Sequence, residues 1–360
     1  MKNIEILSEY LQNLFYGQET KKVPESEKEL TGKIISNFLN CILDYSEYLA
    51  QFESLLKSRE KYSKTLQNKF DAMSNKMLRS AYSLELIMPK RYHKSVRQLF
   101  RNCIKSYIFK SKLIKRYFDK PRGYPGDFIM FETIYDFKPL SKGIGLYFDN
   151  YVLSYSLAQS VVNRKNKMKD YLKSFINNHK GDVVKIINIG CGSCREIREL
   201  LNENRFTKEI DFTLIDQDEG GLVFSRKKLG KLEKNIKINS IHKEAINLMG
   251  LGKNRISFNK TDKDLIYSMG VVDYFLDNTF ENFIRFHYKS LKPGGRLIVA
   301  SCSSEKPEIY TLLTWFSEWF FFYRNTKDVE KILKNKIKIK KVKFSWERNR
   351  EVFFIIIDKS

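Results

Sequence analysis

The sequence contains few cysteines, and their number and spacing exclude a disulfide scaffold. The 360 residues include five cysteines, an odd number without a repeating framework. Such usage predicts reduced thiols in a cytoplasmic protein. Cys191 and Cys194 form a C-x-x-C pair. Because neither a second pair nor nearby histidines complete a zinc site, we predict no metal.

A long hydrophobic run is also missing, which argues against a membrane span. The most apolar stretch, residues 315–323, is interrupted by Glu318 and is too short to cross a bilayer. Residues 1–5 contain neither an apolar core nor a cleavage site of small residues, so the sequence predicts no signal peptide. We therefore expect a soluble protein.

Acidic residues are the minority among the charged ones. The sequence has 65 Lys and Arg against 42 Asp and Glu, a formal net charge of +23. A basic surface attracts nucleic acid. The lysines are nevertheless scattered along the chain, without an Arg-rich tract or a recognisable RNA-binding module. Solvated faces are the favoured interpretation, and a polyanionic partner is the alternative.

The first half of the chain has the pattern of helices. Apolar residues recur at helical spacing between charged ones, and no alternation of period two is present. The pattern predicts helices over about residues 35–55, 63–88, 94–118 and 144–177. A loop at residues 121–127, with two prolines and two glycines, interrupts them.

The second half alternates short apolar runs with helical stretches, which is typical of a parallel sheet with helical crossovers. The predicted strands are residues 183–189, 211–215, 236–241, 265–268 and 296–300. Residues 336–346 and 352–357 predict a terminal antiparallel hairpin. The sequence thus predicts an α/β protein with a seven-stranded, mostly parallel sheet after an all-helical N-terminal domain, with domains 1–180 and 181–360.

Two features of this half are typical of nucleoside binding. Gly190 permits a tight turn after the first strand, and Gly192 lets the backbone approach a ligand without a Cβ in the way. Asp216 ends the second strand, where a carboxylate can accept hydrogen bonds from both hydroxyls of a ribose. Either feature alone is weak, because glycines often only turn the chain and turn aspartates are often only solvated.

Two later motifs complete a set of four. The fourth strand ends at Ser268-Met269-Gly270, and a Pro293-Gly294-Gly295 turn precedes the fifth strand. Order and spacing of the four motifs resemble a class I S-adenosylmethionine-dependent methyltransferase, which implies a Rossmann-like fold. The cofactor contacts that this resemblance implies are Gly190, Cys191 and Gly192 at the methionine end, Asp216 at the ribose, Gln217, Glu244, Ala245 and Ile246 at the adenine, and Ser268, Met269 and Gly270 near the sulfonium. Asn188, at a position that is often acidic, and Cys194, at a common glycine position, depart from the family pattern.

Residues 120–328 are also similar to the bacterial extracellular-factor 3-hydroxypalmitic acid methyl ester biosynthesis proteins. The similarity rests on residues 122–127 with Tyr135, on 190–196, on 214–218, and on Glu318, Trp319, Tyr323 and Arg324. It implies methylation of a carboxylate on a hydroxylated fatty acid. Subfamily resemblance guides substrate identity less well than it guides the cofactor site.

Several side chains are predicted to act on the substrate. Tyr124 and Asp127 are the predicted catalytic residues, with capping of the following helix as the structural alternative for Asp127. Residues 315–324 are predicted to form an aromatic helix that either walls an acyl pocket or lies in the core. The predicted substrate contacts are Arg122, Asp273, Tyr274, Trp319, Tyr323 and Arg324, the last pairing an acidic group.

The sequence leaves three functions open. Methyl transfer from S-adenosylmethionine to a small molecule is the leading one, with a carboxylate as the favoured acceptor because it is already ionised at neutral pH. RNA methylation is the second, and it rests on the net charge of +23. The third is a non-catalytic protein that binds the cofactor.

Overall fold

The computed structural model describes residues 24–58, 62–249, 262–337, 339 and 341–360. The predictions about the N-terminal residues 1–5 therefore lie outside the described residues. The helices are α1 (Glu25–Lys57), α2 (Lys64–Ile87), α3 (Lys90–Ile108), α4 (Lys112–Asp119), α5 (Phe128–Tyr135), α6 (Ile144–Ser154), α7 (Ser156–Asn178), α8 (Arg195–Glu203), α9 (Glu219–Leu229), α10 (Ala245–Leu248), α11 (Asp277–Ser290), α12 (Thr311–Ser317) and α13 (Thr326–Ile332). The strands are β1 (Val183–Ile189), β2 (Glu209–Asp216), β3 (Ile236–His242), β4 (Lys263–Ser268), β5 (Leu291–Cys302), β6 (Lys343–Trp346) and β7 (Val352–Asp358).

The chain forms two compact units. The helical unit contains the described residues up to Pro125 together with 137–155 and 308–320, and the sheet unit contains the described residues of 126–136, 156–307 and 321–360. The predicted division into a helical, substrate-covering domain at residues 1–180 and a methyltransferase-like domain at residues 181–360 stays a prediction. No described helix is long and apolar enough to span a membrane.

Aromatic side chains form the core of the helical unit. The rings of Phe70 and Phe148 meet edge to face at 4.7 Å, and the Trp315 ring lies 5.3 Å from both Phe38 and Phe100. Such edge-to-face pairs are a favoured arrangement of aromatic rings. The predicted helical character of this region is confirmed.

Two long helices of the prediction are each broken in two. The helix predicted over 94–118 ends at Ile108, and α4 begins again after Ser111, whose hydroxyl accepts the Ile114 N–H at 3.0 Å. The helix predicted over 144–177 is interrupted at Tyr155, which has extended backbone angles. Apolar periodicity continues across both breaks, so periodicity alone did not reveal them.

A seven-stranded sheet in the order β3-β2-β1-β4-β5-β7-β6 forms the sheet unit. β1 to β5 are parallel, whereas β7 pairs antiparallel with β5 and β6 antiparallel with β7. Strands such as β1, β4 and β7 are almost continuously buried, as expected where helices cover both faces of a sheet. The predicted fold class is confirmed, and the topology is that of the class I methyltransferase fold.

Some predicted strand bounds were wrong. β6 begins at Lys343 and not at Lys336, because residues 333–337 continue the preceding helix as a π-helical turn; residues 338 and 340 lie outside the described residues. β5 begins at Leu291, so the predicted turn at Pro293-Gly294-Gly295 lies inside the strand, where the register with β4 shifts. A bulge of this kind accommodates extra residues without ending the strand.

The predicted aromatic helix over 315–324 was also wrong in its extent. α12 ends at Ser317, because Glu318 adopts a left-handed conformation with φ of 50° that terminates the helix. Residues 318–323 are not helical. Trp319 therefore belongs to the helical unit, whereas Tyr323 and Arg324 belong to the sheet unit.

Candidate functional site

The strand order indicates where a candidate ligand site lies in the sheet unit. From β1 the chain proceeds to β2 and β3 on one side, and then returns to β4 on the other side of β1. In open α/β sheets, the crevice outside the carboxyl ends of the strands at such a switch point is the usual ligand site. Residues that follow β1, β2 and β4 are therefore the candidates.

The glycine turn after β1 has the predicted conformation. Gly190 and Gly192 have positive φ angles of 67° and 52°. The Gly190 N–H donates to the Ile215 carbonyl at 2.8 Å, which ties the turn to the end of β2. A Cβ on Gly190 would lie 2.2 Å from Cγ2 of Val271, so this position has room for glycine alone.

Asp216 lies at the end of β2 and holds the same turn. Its Oδ2 accepts the Gly192 N–H at 2.7 Å, and its Oδ1 accepts the Asp218 N–H at 2.8 Å. The side chain is largely buried, and burial raises the pKa of the carboxyl group, opposed by these two hydrogen bonds. Because a carboxylate has about four lone pairs, each oxygen can accept one further hydrogen bond.

The two cysteines of the turn are buried. Burial raises the pKa of the Cys191 thiol well above its ordinary value, which keeps it protonated at neutral pH. Cys194 is fully buried in a left-handed conformation and precedes α8. A glycine is common at such positions because it adopts positive φ readily, so Cys194 takes on a modest backbone strain.

Asn188 explains one of the two departures from the family pattern. Its amide donates to Oε1 of Glu196 at 2.8 Å, and the Tyr267 hydroxyl donates to the same oxygen at 2.8 Å. Burial raises the pKa of Glu196. A carboxyl group on α8 thus lies beside Asn188, at the position where the resembled family often has an acid. Sequence reasoning missed Glu196, although its spacing of eight residues from Asn188 places it on the first turn of the next helix.

The other predicted cofactor residues lie on the loops after β2, β3 and β4. Ser268 is buried and its hydroxyl donates to the Ile189 carbonyl at 2.9 Å, which joins the ends of β4 and β1. Met269 and Gly270 follow it and are half-buried. Gln217, Glu244 and Ile246 are exposed, and Ala245 is half-buried at the start of α10.

Helix α5 packs against the glycine turn. Glu132 accepts hydrogen bonds from Ser193 at 2.7 Å, from Arg195 at 3.1 Å and from Arg198 at 2.5 Å. Phe128 lies 3.8 Å from the place where a Cβ on Gly192 would be. The segment after the proline-glycine loop therefore braces the turn that the sequence predicts to hold the cofactor.

The predicted catalytic residues lie in the proline-glycine loop that precedes α5. Asp127 is buried, and its Oδ1 accepts the Met130 N–H at 3.0 Å as the N-cap of α5. Tyr124 is half-buried and Arg122 is exposed, and both belong to the helical unit. The capping alternative for Asp127 describes its geometry, and the catalytic roles of Tyr124 and Asp127 stay predictions.

Of the predicted substrate contacts, Asp273 and Arg324 are bonded to the protein. Oδ1 of Asp273 accepts from the Ser301 hydroxyl at 3.0 Å and from the Cys302 N–H at 2.8 Å. The Arg324 guanidinium donates to the carbonyls of Val272, Phe275 and Phe322 and pairs with Asp277 at 3.1 Å. The roles of Asp273 and Arg324 in substrate binding stay predictions.

The remaining predicted contacts divide between the two units. Trp319 is buried in the helical unit, 5.6 Å from the ring of Tyr117. In the sheet unit, the Phe321 ring lies 5.6 Å from Tyr274 and 6.1 Å from Tyr323. A concave surface there is lined by Leu276, Asp277, Asn278, Phe321, Phe322 and Tyr323.

Arg164 is a further candidate site residue, which sequence reasoning missed. It lies on α7, is 6% exposed, and places its guanidinium nitrogens against Gly270, after β4. A signal was available in the sequence. Ser160, Arg164, Met168, Leu172 and Ile176 are all buried and recur at a spacing of four residues, so Arg164 is a charged residue within the apolar face of a helix.

No protein-family model and no curated protein matches this sequence. Among solved structures, a possible exported protein from Bordetella parapertussis is similar with a TM-score of 0.51 at 13% identity, over 65% of this chain and 79% of that chain. Magnesium protoporphyrin IX methyltransferase from Synechocystis PCC 6803 with bound SAM gives 0.39 at 11% identity, over 57% and 84%. The CMeT domain of the citrinin polyketide synthase gives 0.44 at 12% identity, over 99% and 96%. Likeness at such identities concerns the fold.

Proposed function

We propose that this chain is an S-adenosylmethionine-dependent methyltransferase whose cofactor binds at the switch point of its sheet. One observation carries the proposal: Gly190 and Gly192 form a turn that Asp216 holds by a hydrogen bond, at the carboxyl ends of β1 and β2. A turn with glycine at two of its positions, beside a carboxylate, offers the close approach and the hydroxyl acceptors that a nucleoside requires.

The residues present fit this cofactor. No described atom lies nearer than 3.8 Å to the place of a Cβ on Gly192, and each oxygen of Asp216 keeps a lone pair for a ribose hydroxyl. The exposed side chains of Gln217 and Ile246 are available to an adenine ring, and Gly270 is available to the methionine end. When bound, S-adenosylmethionine supplies an electrophilic methyl group on its sulfonium, so the protein has mainly to align the acceptor with it.

For the acceptor, we propose a carboxylate. Asp127 caps a helix and Asp273 accepts two hydrogen bonds in a buried position, so Oδ1 of each carboxylate is already used by the protein. A carboxylate acceptor needs no general base, because its ordinary pKa near ~4 leaves it ionised at neutral pH. The bonds of these two aspartates therefore favour carboxyl methylation over the alternatives.

For the rest of the acceptor, we propose an acyl chain such as that of a hydroxy fatty acid. Leu276 and Phe322 are exposed, and Tyr274, Phe321 and Tyr323 form an aromatic cluster in the sheet unit. Exposed apolar side chains that line a concave surface are typical of sites for apolar ligands. The cluster follows β4 and β5, the strands beside the proposed cofactor site.

Substitution of Asp216 tests the cofactor site. Asp216→Asn, which keeps an oxygen acceptor but removes the charge, should weaken binding of S-adenosylhomocysteine by about 1.5–3 kcal/mol, because charge-assisted bonds to the ribose are lost. Isothermal titration calorimetry measures this loss, and NADH should not bind to the wild type. Asp211→Asn is the matched control on the same strand, where Asp211 accepts from Asn239. A folded Asp216→Asn protein with wild-type affinity would remove the ribose assignment.

An acceptor assay tests the finer proposal. With a labelled methyl donor, 3-hydroxypalmitic acid should become labelled, whereas its methyl ester should not, because the ester carries no free carboxylate. Labelling of the ester or of RNA instead would overturn the carboxylate proposal. Cofactor binding by the same protein would be unaffected by that result, so the two proposals are tested separately.

A further inference from the structure

The buried guanidinium of Arg164 differs from those of the other buried arginines in the described part of the chain. Arg101, Arg198 and Arg324 form ion pairs with Glu318, Glu132 and Asp277, respectively. Arg164 forms no ion pair with any described carboxylate, and its Nε has no hydrogen-bond partner among the described residues. Since arginine keeps its charge in proteins, this position holds a buried cation without a bonded anion.

One carboxylate, that of Asp273, is among the described neighbours of Arg164, but the two side chains form no ion pair. The Tyr135 hydroxyl interacts electrostatically with the guanidinium, and the ring of Phe131 lies 5.8 Å from it. Asp273 acts on it electrostatically, but the hydrogen bonds that Oδ1 of Asp273 accepts come from Ser301 and Cys302. A buried charge without a bonded partner is strongly unfavourable, so an anionic ligand would stabilise this arrangement.

The place of the guanidinium points to the proposed ligand site. Both of its terminal nitrogens lie 3.7–3.8 Å from the position that a Cβ on Gly270 would occupy, and Gly270 follows β4 at the switch point. Val271, the next residue, contacts the space beside Gly190. The Arg164 guanidinium thus lies beside the loop of Gly270 and Val271, and this loop packs against the glycine turn.

We infer that Arg164 binds the carboxylate of a ligand at the switch point. The inference rests on the proposed function and adds the residue that recognises an acid there. A guanidinium matches a carboxylate by two parallel N–H···O bonds, which a lysine cannot form. Two ligands could supply the acid: the amino-acid end of the cofactor, or the acceptor.

Two nucleosides distinguish these sources. S-adenosylhomocysteine carries the amino-acid carboxylate, whereas 5′-methylthioadenosine has the same adenosine and a thioether without it. If the cofactor supplies the acid, Arg164→Met should lower the affinity for S-adenosylhomocysteine by about ten- to a hundredfold, as expected for the loss of charge-assisted hydrogen bonds. The affinity for 5′-methylthioadenosine should stay unchanged. Arg164→Lys, which keeps the charge without the fork, should restore only part of the affinity.

The acceptor is tested with octanoate, titrated into protein saturated with S-adenosylhomocysteine. If the acceptor supplies the acid, octanoate should bind to the wild type and not to Arg164→Met, while both nucleosides keep their affinity. Lys173→Met is the control, since it removes an exposed charge from the same helix. Thermal melting shows whether each variant is folded.

The outcomes separate this inference from the proposed function. If Arg164→Met and the wild type bind S-adenosylhomocysteine alike, and no binding of octanoate depends on Arg164, the inference is wrong while the cofactor site stands. Should the wild type bind neither nucleoside, the proposed function fails, and the inference that rests on it fails as well.

Discussion

Replacing Gly190 with alanine should abolish measurable binding of S-adenosylhomocysteine and lower the free energy of unfolding by about 3 kcal/mol. Two costs add. A left-handed conformation costs an L-residue with a Cβ roughly 1–2 kcal/mol, and Gly190 has φ of 67°. The new Cβ would lie 2.2 Å from Cγ2 of Val271, and forcing such an overlap apart costs about 1–3 kcal/mol.

Two further variants separate these costs. Gly294→Ala introduces a Cβ at φ of 75° with nothing within 4 Å, so it should show the backbone cost alone and leave ligand affinity unchanged. The double variant Gly190→Ala with Val271→Ala should regain the part of the free energy of unfolding that the steric overlap costs, about 1–3 kcal/mol. Denaturant unfolding and calorimetry measure both quantities. Wild-type binding by Gly190→Ala would mean that the turn does not hold the cofactor.

Replacing Arg324 with methionine should lower the free energy of unfolding by about 3–5 kcal/mol, because each carbonyl left without a donor costs about 1–3 kcal/mol. The guanidinium satisfies carbonyl oxygens of Val272, Phe275 and Phe322, and it stacks 4.4 Å from the ring of Phe280. The substitution leaves these carbonyls without their donor. Urea unfolding of the sheet unit within the full chain measures the loss.

The sequence prediction for Arg324 leads to a different result. If its guanidinium paired an acidic group of the substrate, the methionine variant would keep its stability and show a raised KM for the acceptor. Asp277→Asn is the comparison variant, because the Asp277 side chain is 69% exposed. Its loss should be below about 1 kcal/mol, as for other solvent-exposed ion pairs. A stable Arg324→Met protein would favour the substrate role.

The bonds of Asp127, Asp273 and Arg324 illustrate a limit of sequence interpretation. Each is a polar residue at a position where substrate contacts are expected, and the sequence shows what the side chain can do. The sequence does not show which groups the side chain contacts. Asp273 accepts hydrogen bonds from β5, and Arg324 donates to carbonyls some fifty residues earlier in the chain. A side chain whose groups are used by the protein cannot be recognised before those partners are brought together.

The breaks in the helices show the same limit at the local level. Apolar periodicity predicted helices across Ser111 and Tyr155, but a cap and an extended residue end them there. Propensity differences between continuing and ending a helix are about 1 kcal/mol or less, so tertiary packing decides between them.

The sequence by itself determined the chain order of the seven strands, the glycine turn at Gly190 and the carboxylate at Asp216, because these follow from local patterns and short spacings. The tertiary structure alone decided that Glu196 takes the place of an acid at Asn188, and that Arg164 lies against Gly270. Both depend on residues distant along the chain that the sheet brings to one edge. Burial then determines which charged side chains need a partner inside the protein, and burial is a property of the folded chain.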